Sequence, residues 1–337
     1  MFRTIRTTAL ALIALIGMIA IIGCGGSDAT ATEIAEAVEN DPTLERIEKY
    51  ANPDMLVSAA QAREMLADET NDIVLLDVRR GAQYMLGHIP GAVQVFRPDY
   101  GAAEGEYEFG GMVASREKTA DFLGNLGITP DTTIMAYDAK GDYDAARLWW
   151  QLEMYGHEDY VMIDGGINAW KDAGFETNTV ASPNVEPAEY EFENPVDRSR
   201  YATLADVVAA MDDPNTIILD TRSEAEVLGE DIKKGAFRAG HIPGSVWIEY
   251  KLALDEGTKF RCCDELRPVF AEAGITPDKN IIVYCQSGVR SAHTTYVLTE
   301  ILGFENVKNF DGSWIEWSYN EDLPVATGMP TTYITQL

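Results

Sequence analysis

The chain has few basic residues, few histidines and few cysteines, and each shortage argues against a class of function. Its 337 residues include 26 lysines and arginines against 55 aspartates and glutamates, for a formal net charge of −29. Such a surface repels phosphate groups, so we expect neither a nucleic acid partner nor electrostatic binding to anionic lipids. With four histidines and four cysteines, the sequence offers no cysteine–histidine cluster with metal-ligand spacing. We therefore predict no metal site.

Long apolar segments are also lacking, apart from one at the N-terminus. Arg3 and Arg6 precede the apolar segment 9–22, which is shorter than the ~20 residues that a membrane-spanning helix needs. A basic start followed by a short apolar segment is typical of a secretion signal peptide. The segment ends in Ile-Ile-Gly-Cys24, which resembles the lipobox of bacterial lipoproteins.

That resemblance implies that the chain is cut before Cys24 and that the Cys24 sulfur carries a diacylglycerol. Residues 1–23 are then the signal peptide, and residues 24–52 form a tether and stalk. We expect a protein of the bacterial cell envelope, facing the periplasm or the exterior, whose membrane attachment is the lipid alone. The alternative is an uncleaved N-terminal anchor with an incidental cysteine.

An internal repeat defines the domain organisation. Four motifs occur twice in the same order, as Leu76-Asp77-Val-Arg79 and Leu219-Asp220-Thr-Arg222, His88-Ile-Pro-Gly91 and His241-Ile-Pro-Gly244, Gly127-Ile-Thr-Pro-Asp131 and Gly274-Ile-Thr-Pro-Asp278, and Asp164-Gly165-Gly166 and Asp311-Gly312-Ser313. Such a repeat predicts two copies of one domain. We place the copies at residues 53–180 and 198–330. Residues 181–197, rich in proline, asparagine and glutamate, are the expected linker.

Within each copy, short apolar strands alternate with helices. In the second copy we predict strands at 216–219 and 281–284, and helices at 204–211, 266–273 and 291–302. This alternation is typical of an α/β domain whose sheet is mainly parallel.

The second copy contains a candidate reactive loop. Cys285 directly follows a predicted strand, at the edge of the sheet where α/β domains place their sites. Loop N–H groups, the N-terminus of the following helix and Arg290 would all favour a thiolate, so we predict a lowered Cys285 pKa. Gly288 allows the tight backbone turn that such a loop requires.

Taken together, the motifs resemble the rhodanese family. They are Asp-x-Arg, Gly-His-Ile-Pro-Gly, Cys-x-x-Gly-x-Arg and Asp-Gly-(Gly/Ser)-x-x-x-Trp, in this order. Two copies in tandem resemble the thiosulfate and mercaptopyruvate sulfurtransferases. The resemblance implies two rhodanese-like α/β domains, each a mainly parallel sheet flanked by helices, and no cofactor. It also implies a two-step reaction in which the Cys285 thiolate takes sulfur from a small anionic donor, and a thiol or cyanide then removes it from the persulfide.

The resemblance also suggests the residues that bind the donor. They are Arg222 of the Asp-x-Arg element and the loop residues Gln286, Ser287, Gly288, Val289 and Arg290. The alternative for Arg222 is a structural salt bridge with a nearby acid. Four residues separate Cys285 from Arg290, whereas related phosphatases and arsenate reductases have five, so the shorter loop favours sulfur over phosphate.

The donor and the mode of action stay open at this stage. Mercaptopyruvate enzymes tend to have Cys-Gly-(Ser/Val)-Gly-Val-Thr, and this loop differs from that pattern at Gln286 and Arg290. Arg290 favours thiosulfate over mercaptopyruvate. A second hypothesis is a sulfur or selenium carrier without fast turnover, and a third is a scaffold. The presence of both Cys285 and Arg290 argues against a scaffold.

The first copy has lost the cysteine, because Asp138 occupies its place. A carboxylate cannot form a persulfide, so we predict that this domain is inert. We expect Trp149 and Trp150 in the core or the domain interface, and His88 and His241 in structural roles.

Two further cysteines, Cys262 and Cys263, belong to none of the family motifs. They are either incidental surface cysteines or a source of a resolving thiol for oxidised or persulfidated Cys285.

Overall fold

The computed structural model describes residues 31–335, so the predicted signal peptide and Cys24 lie outside the described residues. The described chain begins with two short helices, α1 (Ala31–Glu39) and α2 (Pro42–Ile47). No helix between residues 31 and 335 is long and apolar enough to cross a membrane.

The predicted stalk, where the structure describes it, is packed against both domains rather than extended. Tyr50 is buried, and its hydroxyl donates to the carbonyl oxygen of Phe260 at 3.2 Å. Arg46 forms an ion pair with the buried Asp164 of the first domain. This part of the predicted stalk lies on the domains because its apolar side chains, such as Ile47 and Tyr50, belong to the core between them.

The first domain contains five short strands, β1 (Leu56–Val57), β2 (Ile73–Asp77), β3 (Val93–Gln94), β4 (Thr133–Tyr137) and β5 (Tyr160–Ile163). They form one sheet in the order β1-β5-β4-β2-β3, and each neighbouring pair is parallel. Helices cover both faces of this sheet, which explains why its central strands are continuous apolar segments rather than alternating ones.

Six helices belong to the first domain, α3 (Ala59–Ala67), α4 (Gly81–Tyr84), α5 (Arg97–Tyr100), α6 (Arg116–Asn125), α7 (Tyr143–Tyr155) and α8 (Gly166–Asp172). Ser58 and Gln61 form a capping box that fixes the start of α3. A further single-turn helix precedes β1 at Pro53–Met55. Helix α7 is almost entirely buried, because it lies between the first sheet and the second domain.

The second domain repeats this topology. Its strands are β6 (Tyr201–Ala202), β7 (Thr216–Asp220), β8 (Val246–Ile248), β9 (Asn280–Tyr284), β10 (Val307–Phe310) and β11 (Tyr333–Ile334). The sheet order is β11-β8-β7-β9-β10-β6, again all parallel. Five of these strands follow the order of the first sheet. Strand β11 adds an edge, so the domain extends past the boundary predicted at residue 330.

The helices of the second domain are α9 (Leu204–Ala210), α10 (Glu224–Leu228), α11 (Cys263–Glu272), α12 (Val289–Tyr296) and α13 (Ser313–Tyr319). A single turn lies at Tyr250–Ala253, and a π-helical segment, Val297–Ile301, continues α12. The sequence predicted the alternation of strands and helices correctly. Helix α12 begins at Val289, two residues earlier than the start expected near Ser291, because the backbone of Gly288 already forms its N-cap.

The two domains share one apolar core. Helix α7 packs along helix α12, and the ring of Trp149 meets that of Tyr296 edge-on at 5.0 Å between centroids. Trp150 stacks on Tyr201 at 5.8 Å. Both tryptophans are 1% exposed, which confirms their predicted place in the core and interface. Residues 181–197 contain no helix or strand, as expected of the linker.

Candidate active site

The candidate reactive loop, hereafter the catalytic loop, connects strand β9 to helix α12 and carries Cys285 at its first position. Gly288 has a φ of +74°, and a Cβ there would lie 2.7 Å from the carbonyl oxygen of Asp311. Any side chain would therefore displace the loop. The result is a tight turn that closes around the Cys285 sulfur.

Ser313 holds both ends of this turn and was not among the predicted site residues. Its hydroxyl oxygen accepts hydrogen bonds from the N–H groups of Cys285, at 3.1 Å, and Gly288, at 3.0 Å. The same hydroxyl donates to the carbonyl oxygen of Phe310 at 2.7 Å. A comparison of the two copies could have indicated this role, because the copy that contains Cys285 has Ser313 where the other copy has Gly166.

The Cys285 sulfur is enclosed by hydrogen-bond donors. The Ser291 hydroxyl lies 3.4 Å from it, and the backbone N–H groups of Ser291 and Ser287 point at it. Burial raises the pKa of the Cys285 thiol, but the Arg290 guanidinium and these donors outweigh burial and hold that pKa below its usual value. The direction agrees with the prediction from the sequence.

The Arg290 guanidinium interacts with the Cys285 sulfur and also with a carboxylate, that of Glu226. Its guanidinium forms two hydrogen bonds with the Glu226 carboxylate, of 2.7 and 2.8 Å. Burial raises the pKa of Glu226, but the hydrogen bonds from Arg290 and the Ser223 hydroxyl outweigh burial and lower that pKa to about 2. Glu226 therefore stays ionised and fixes the orientation of the guanidinium beside Cys285.

Sequence reasoning missed Glu226. The signal was present as a capping box, because Ser223 and Glu226 cap the short helix α10 that follows the Asp-x-Arg element. Its partner Arg290 is distant in the sequence, so the pair could not be inferred before the strands were assembled.

Arg222 is buried in an ion pair with Asp220, which is the alternative that the sequence left open, and its contact with a donor stays a prediction. Its Nε and Nη2 atoms bond to the carboxylate of Asp220, at 3.0 and 2.6 Å, and it is 1% exposed. The guanidinium also lies over the Trp314 ring at 4.6 Å. The first domain, which has no cysteine, pairs Arg79 with Asp77 in the same way. The Asp-x-Arg element therefore forms the same internal ion pair in both copies.

The remaining loop residues surround the sulfur in different ways. The Gln286 side chain contacts another loop of the second domain, where its amide donates to the carbonyl oxygen of Lys234 at 3.4 Å. Val289 is 5% exposed and packs into the interior. Ser287 is half-buried and faces the first domain.

The two motif histidines are buried and bond to backbone carbonyl oxygens. His88 Nδ1 lies 3.0 Å from the oxygen of Tyr84, and His241 Nδ1 lies 3.0 Å from that of Val227. These contacts close the turns of the His-Ile-Pro-Gly motifs, which is the structural role predicted for both residues.

The corresponding loop of the first domain is filled by the Asp138 carboxylate. It accepts N–H groups from Lys140, Asp142 and Asp144 at 2.6 to 2.9 Å. Burial and the nearby Asp144 raise the pKa of Asp138 to about 6. The loop thus keeps a ring of N–H donors but encloses a group that cannot carry sulfur.

Helix α7 of the first domain also reaches the catalytic loop. Arg147 donates to the carbonyl oxygens of Gly288, at 3.2 Å, and Gly111, at 3.3 Å, and forms a buried ion pair with Asp311. The sequence did not predict that Arg147 contacts the loop. The first domain, which we predict to be inert in sulfur transfer, therefore contacts the loop that carries Cys285.

Cys262 and Cys263 lie at the start of helix α11. Cys263 is buried, and its thiol donates to the carbonyl oxygen of Lys49 at 3.3 Å. The Cys285 sulfur instead accepts a hydrogen bond from the Ser291 hydroxyl. One ligand atom from each of Cys262, Cys263 and Asp264 lies within 4.8 Å of the others. The resolving-thiol hypothesis and the predicted lack of a metal site both stay predictions.

This arrangement defines a class of protein, in which two α/β domains have one topology and the second carries a cysteine set in a loop of N–H donors. The Rhodanese-like domain family matches residues 58–173 and 203–320, and the chain belongs to that family.

Two relatives of known name agree with this membership. The chain is 33% identical to the thiosulfate sulfurtransferase of Corynebacterium glutamicum, over 84% of this chain and 94% of that protein. It is also 33% identical to the sulfur carrier protein TtuD of Thermus thermophilus, over 83% and 99%. These relatives support a sulfurtransferase.

A solved structure agrees in fold. The anaerobic ergothioneine biosynthesis enzyme from Chlorobium limicola, in complex with trimethyl histidine, matches with a TM-score of 0.73 at 23% identity. The match covers 83% of this chain and 72% of that one.

Proposed function

We propose that this protein transfers sulfane sulfur from thiosulfate to a thiophilic acceptor through a persulfide on Cys285. The observation that carries the proposal is the enclosure of the Cys285 sulfur by the Ser291 hydroxyl, two backbone N–H groups and Arg290. These groups favour the thiolate, which is the nucleophile that the first step requires.

In that step the thiolate attacks the outer sulfur of thiosulfate. The sulfur–sulfur bond of the donor breaks, sulfite leaves with the electron pair, and Cys285 keeps the transferred sulfur as a persulfide. The same N–H donors that favour the thiolate favour the persulfide anion, because both are charged sulfur species held in a buried loop. Cyanide or a thiol then removes the outer sulfur and regenerates the thiolate.

The choice of donor rests on Arg290. Its guanidinium is held beside the sulfur and would attract the sulfonate-like end of thiosulfate, even though Glu226 neutralises part of its charge. Mercaptopyruvate, with a carboxylate of its own, is the alternative donor.

The test is the intact mass of the fully reduced protein before and after thiosulfate. We expect the gain of one sulfur atom in the wild type, its loss on addition of cyanide, and no gain in Cys285→Ser. If thiosulfate leaves the mass unchanged, mercaptopyruvate becomes the donor to test. No adduct with either donor would refute the transferase proposal.

A sulfur carrier is the second candidate, favoured by the similarity to the carrier protein TtuD. A carrier and an enzyme both form the persulfide but differ in turnover. Multiple turnovers with thiosulfate and cyanide would favour the enzyme. A persulfide that forms once per chain and is passed only to another protein would favour the carrier.

We also propose that the protein is a lipoprotein of the bacterial cell envelope, anchored through Cys24. The described helices begin at Ala31, so an anchor at Cys24 would allow a span of at most about 25 Å between lipid and helix. Labelled fatty acid should enter the wild-type protein and not Cys24→Ser. Equal labelling of both would refute the lipid anchor.

A further inference from the structure

Two thiols and a carboxylate come together at the start of helix α11, on Cys262, Cys263 and Asp264. One ligand atom from each residue lies within 4.8 Å of the other two, and the Cys262 sulfur is 4.0 Å from an Asp264 carboxylate oxygen. Two ligands of one tetrahedral zinc ion lie roughly 3.3–3.8 Å apart, because Zn–S and Zn–O bonds are roughly 2.0–2.3 Å long. Small side-chain rotations therefore suffice to place all three atoms around one ion.

The two sulfur atoms converge because of the backbone at Cys262. Adjacent side chains inside a helix do not face each other, so two neighbouring cysteines there would diverge. Cys262 is instead the N-cap residue, with a φ of −62° and a ψ of 143°, and Cys263 is the first residue of the helix. An N-cap side chain folds back over the first turn. The Cys262 thiol therefore lies beside Cys263 and Asp264.

The first domain shows the ordinary use of this position. Helix α6 corresponds to α11, and the Ser115 hydroxyl caps it by accepting the N–H of Lys118 at 3.2 Å. Cys262 occupies the place of Ser115 and makes no cap hydrogen bond with its side chain. Serine is among the preferred N-cap residues. A thiol where helix stability favours a hydroxyl indicates another role for this side chain.

The three groups can be reached from solvent on one side and are enclosed on the other. Asp264 is exposed and Cys262 is half-buried, whereas Cys263 is 5% exposed. On the enclosed side, the carbonyl oxygen of Lys49 lies 3.3 Å from the Cys263 sulfur. This oxygen is close enough to become a fourth ligand once the thiol proton that it accepts has left.

The charges around these groups favour a cation. Asp264 forms no ion pair within residues 31–335, whereas its neighbour Glu265 is paired with Arg261 at 3.2 Å. The Asp264 carboxylate is therefore available to a metal. The formal charge of −29 on the whole chain also attracts cations to its surface.

We propose that Cys262, Cys263 and Asp264 bind a thiophilic divalent cation, represented by Zn²⁺. Thiolates and carboxylates are both ligands that Zn²⁺ accepts, and the Lys49 carbonyl oxygen or a water molecule completes the four. The site departs from the sequence prediction of no metal site, since that prediction rested on the lack of a cysteine–histidine cluster. It is independent of the proposed sulfur transfer, because Cys285 is not one of the ligands.

Binding exchanges protons for the metal and changes no oxidation state. Each of the two thiols loses its proton to the buffer, because a coordinating thiol is deprotonated. The ion in turn loses water molecules to the protein ligands. No oxidant, reductant or further reactant is required.

The test uses the full-length, fully reduced chain with Cys24→Ser and Cys285→Ser, in which Cys262 and Cys263 are the only cysteines. Calorimetric titration with Zn²⁺ should show saturable binding of one ion per chain and release of about two protons. Cd²⁺ should produce the ultraviolet charge-transfer absorption of a cadmium–thiolate bond.

Two variants in this chain remove ligands that are not fully buried. Cys262→Ser and Asp264→Asn should each weaken Zn²⁺ binding at least about tenfold, and Cys262→Ser should also reduce the cadmium–thiolate absorption. Cys262→Ser should fold normally, because serine caps the corresponding helix of the first domain. The matched control is Glu272→Gln, which removes one negative charge at the exposed far end of α11 and should bind like its parent.

Either of two titration results would overturn the proposal. One is the lack of saturable Zn²⁺ binding. The other is equal binding by Cys262→Ser, Asp264→Asn and Glu272→Gln, which would mean that Zn²⁺ binds to the acidic surface in general.

Sulfur loading keeps this proposal separate from the proposed function. With Cys285 present, Cys262→Ser should take up sulfur from thiosulfate at the wild-type rate. If the wild type takes up none, the proposed function fails while the titration still tests the metal site. A loss of loading in Cys262→Ser alone would assign this thiol to the sulfur reaction and overturn its role as a dedicated metal ligand.

Discussion

Arg147 of the first domain forms a buried ion pair with Asp311 of the second, with 2.5 Å between Nη2 and Oδ1. The other oxygen of Asp311 accepts the N–H of Val113 at 2.9 Å, and Arg147 also donates to Gly288 of the catalytic loop. The domain without the cysteine thus holds the loop that carries it. This contact shows how a domain with Asp138 in place of the cysteine still contributes to the site.

Removing Arg147 should destabilise the protein. In Arg147→Met, Asp311 stays buried without its counter-charge, which typically costs about 3–5 kcal/mol. Denaturant unfolding should show this loss in the free energy of unfolding. The control is Lys233→Met, which breaks an exposed pair with Asp231 and should leave unfolding unchanged. Equal effects of the two substitutions would contradict the importance of the buried pair.

Removing Arg290 should raise the pKa of Cys285. The guanidinium is the largest of the groups that lower that pKa, so Arg290→Met leaves less thiolate at neutral pH. The rate of Cys285 alkylation in the folded protein, measured on its peptide by mass spectrometry at a series of pH values, should have its midpoint at a higher pH in the variant. Sulfur loading at neutral pH should slow roughly tenfold per pKa unit. Arg261→Met, which removes a partly exposed arginine paired with Glu265, should leave the midpoint in place.

Glu226 should contribute to stability in a defined pH range. Its pKa in the folded protein is about 2, below the ordinary 4.5. A lowered pKa stabilises the fold above pH 4.5, and this contribution is lost as the pH falls toward 2. Through Glu226 the wild type should lose up to about 3 kcal/mol of its free energy of unfolding on acidification, and Glu226→Gln should not show this loss.

The matched control for Glu226 is Glu224→Gln, on an exposed position of the same helix. The pKa of Asp164, which is raised from 3.8 to about 6, acts in the opposite direction as the pH falls through that higher range. The quantity to compare is therefore the difference in free energy of unfolding between variant and wild type at each pH. Identical acid profiles for the wild type and Glu226→Gln would show that the pair with Arg290 contributes nothing.

Ser313→Gly should loosen the catalytic loop without blocking its fold. Ser313 has a φ of +50°, which glycine adopts easily, so the loss is confined to the hydroxyl that binds the N–H groups of Cys285 and Gly288. We expect sulfur loading to slow by about tenfold, as for the loss of 1–2 kcal/mol of hydrogen bonding. Stopped-flow mixing with thiosulfate measures this. The exposed Ser199→Gly should load at the wild-type rate.

Restoring a cysteine in the first domain should not restore the chemistry. In Asp138→Cys the position that corresponds to Arg290 is Tyr143, and the adjacent Asp144 carboxylate disfavours a thiolate. The double variant Asp138→Cys with Cys285→Ser should therefore gain no sulfur mass from thiosulfate. Sulfur loading on the introduced thiol would show that the loop alone, without an arginine, is sufficient.

Much of the fold followed from local patterns. The repeated motifs predicted two copies of one domain, and short apolar strands between helices predicted parallel sheets, because a strand covered on both faces needs apolar side chains throughout. The tight turn at Gly288 and the lowered pKa of Cys285 followed from the strand–cysteine–helix order. These features depend on residues that are neighbours in the sequence.

The contacts that the sequence did not reveal join distant segments. Glu226 meets Arg290, and Arg147 meets Asp311, only after helices and strands have packed. Arg222 shows the opposite case, because its motif suggested a substrate contact and its actual partner, Asp220, is two residues away. A motif identifies the residues of an element but not the direction in which each side chain points.

The sequence by itself therefore determined the family resemblance and the α/β architecture, and it supplied the predictions that Cys285 is the nucleophile and that the first domain is inert. Tertiary structure decided which charges surround that nucleophile, how the first domain supports the loop, and where the segment before residue 53 packs. The physical reason is that strand and turn formation depend on local backbone and apolar patterns. The electrostatics of a buried sulfur depend instead on charges brought close by packing, where water no longer screens them.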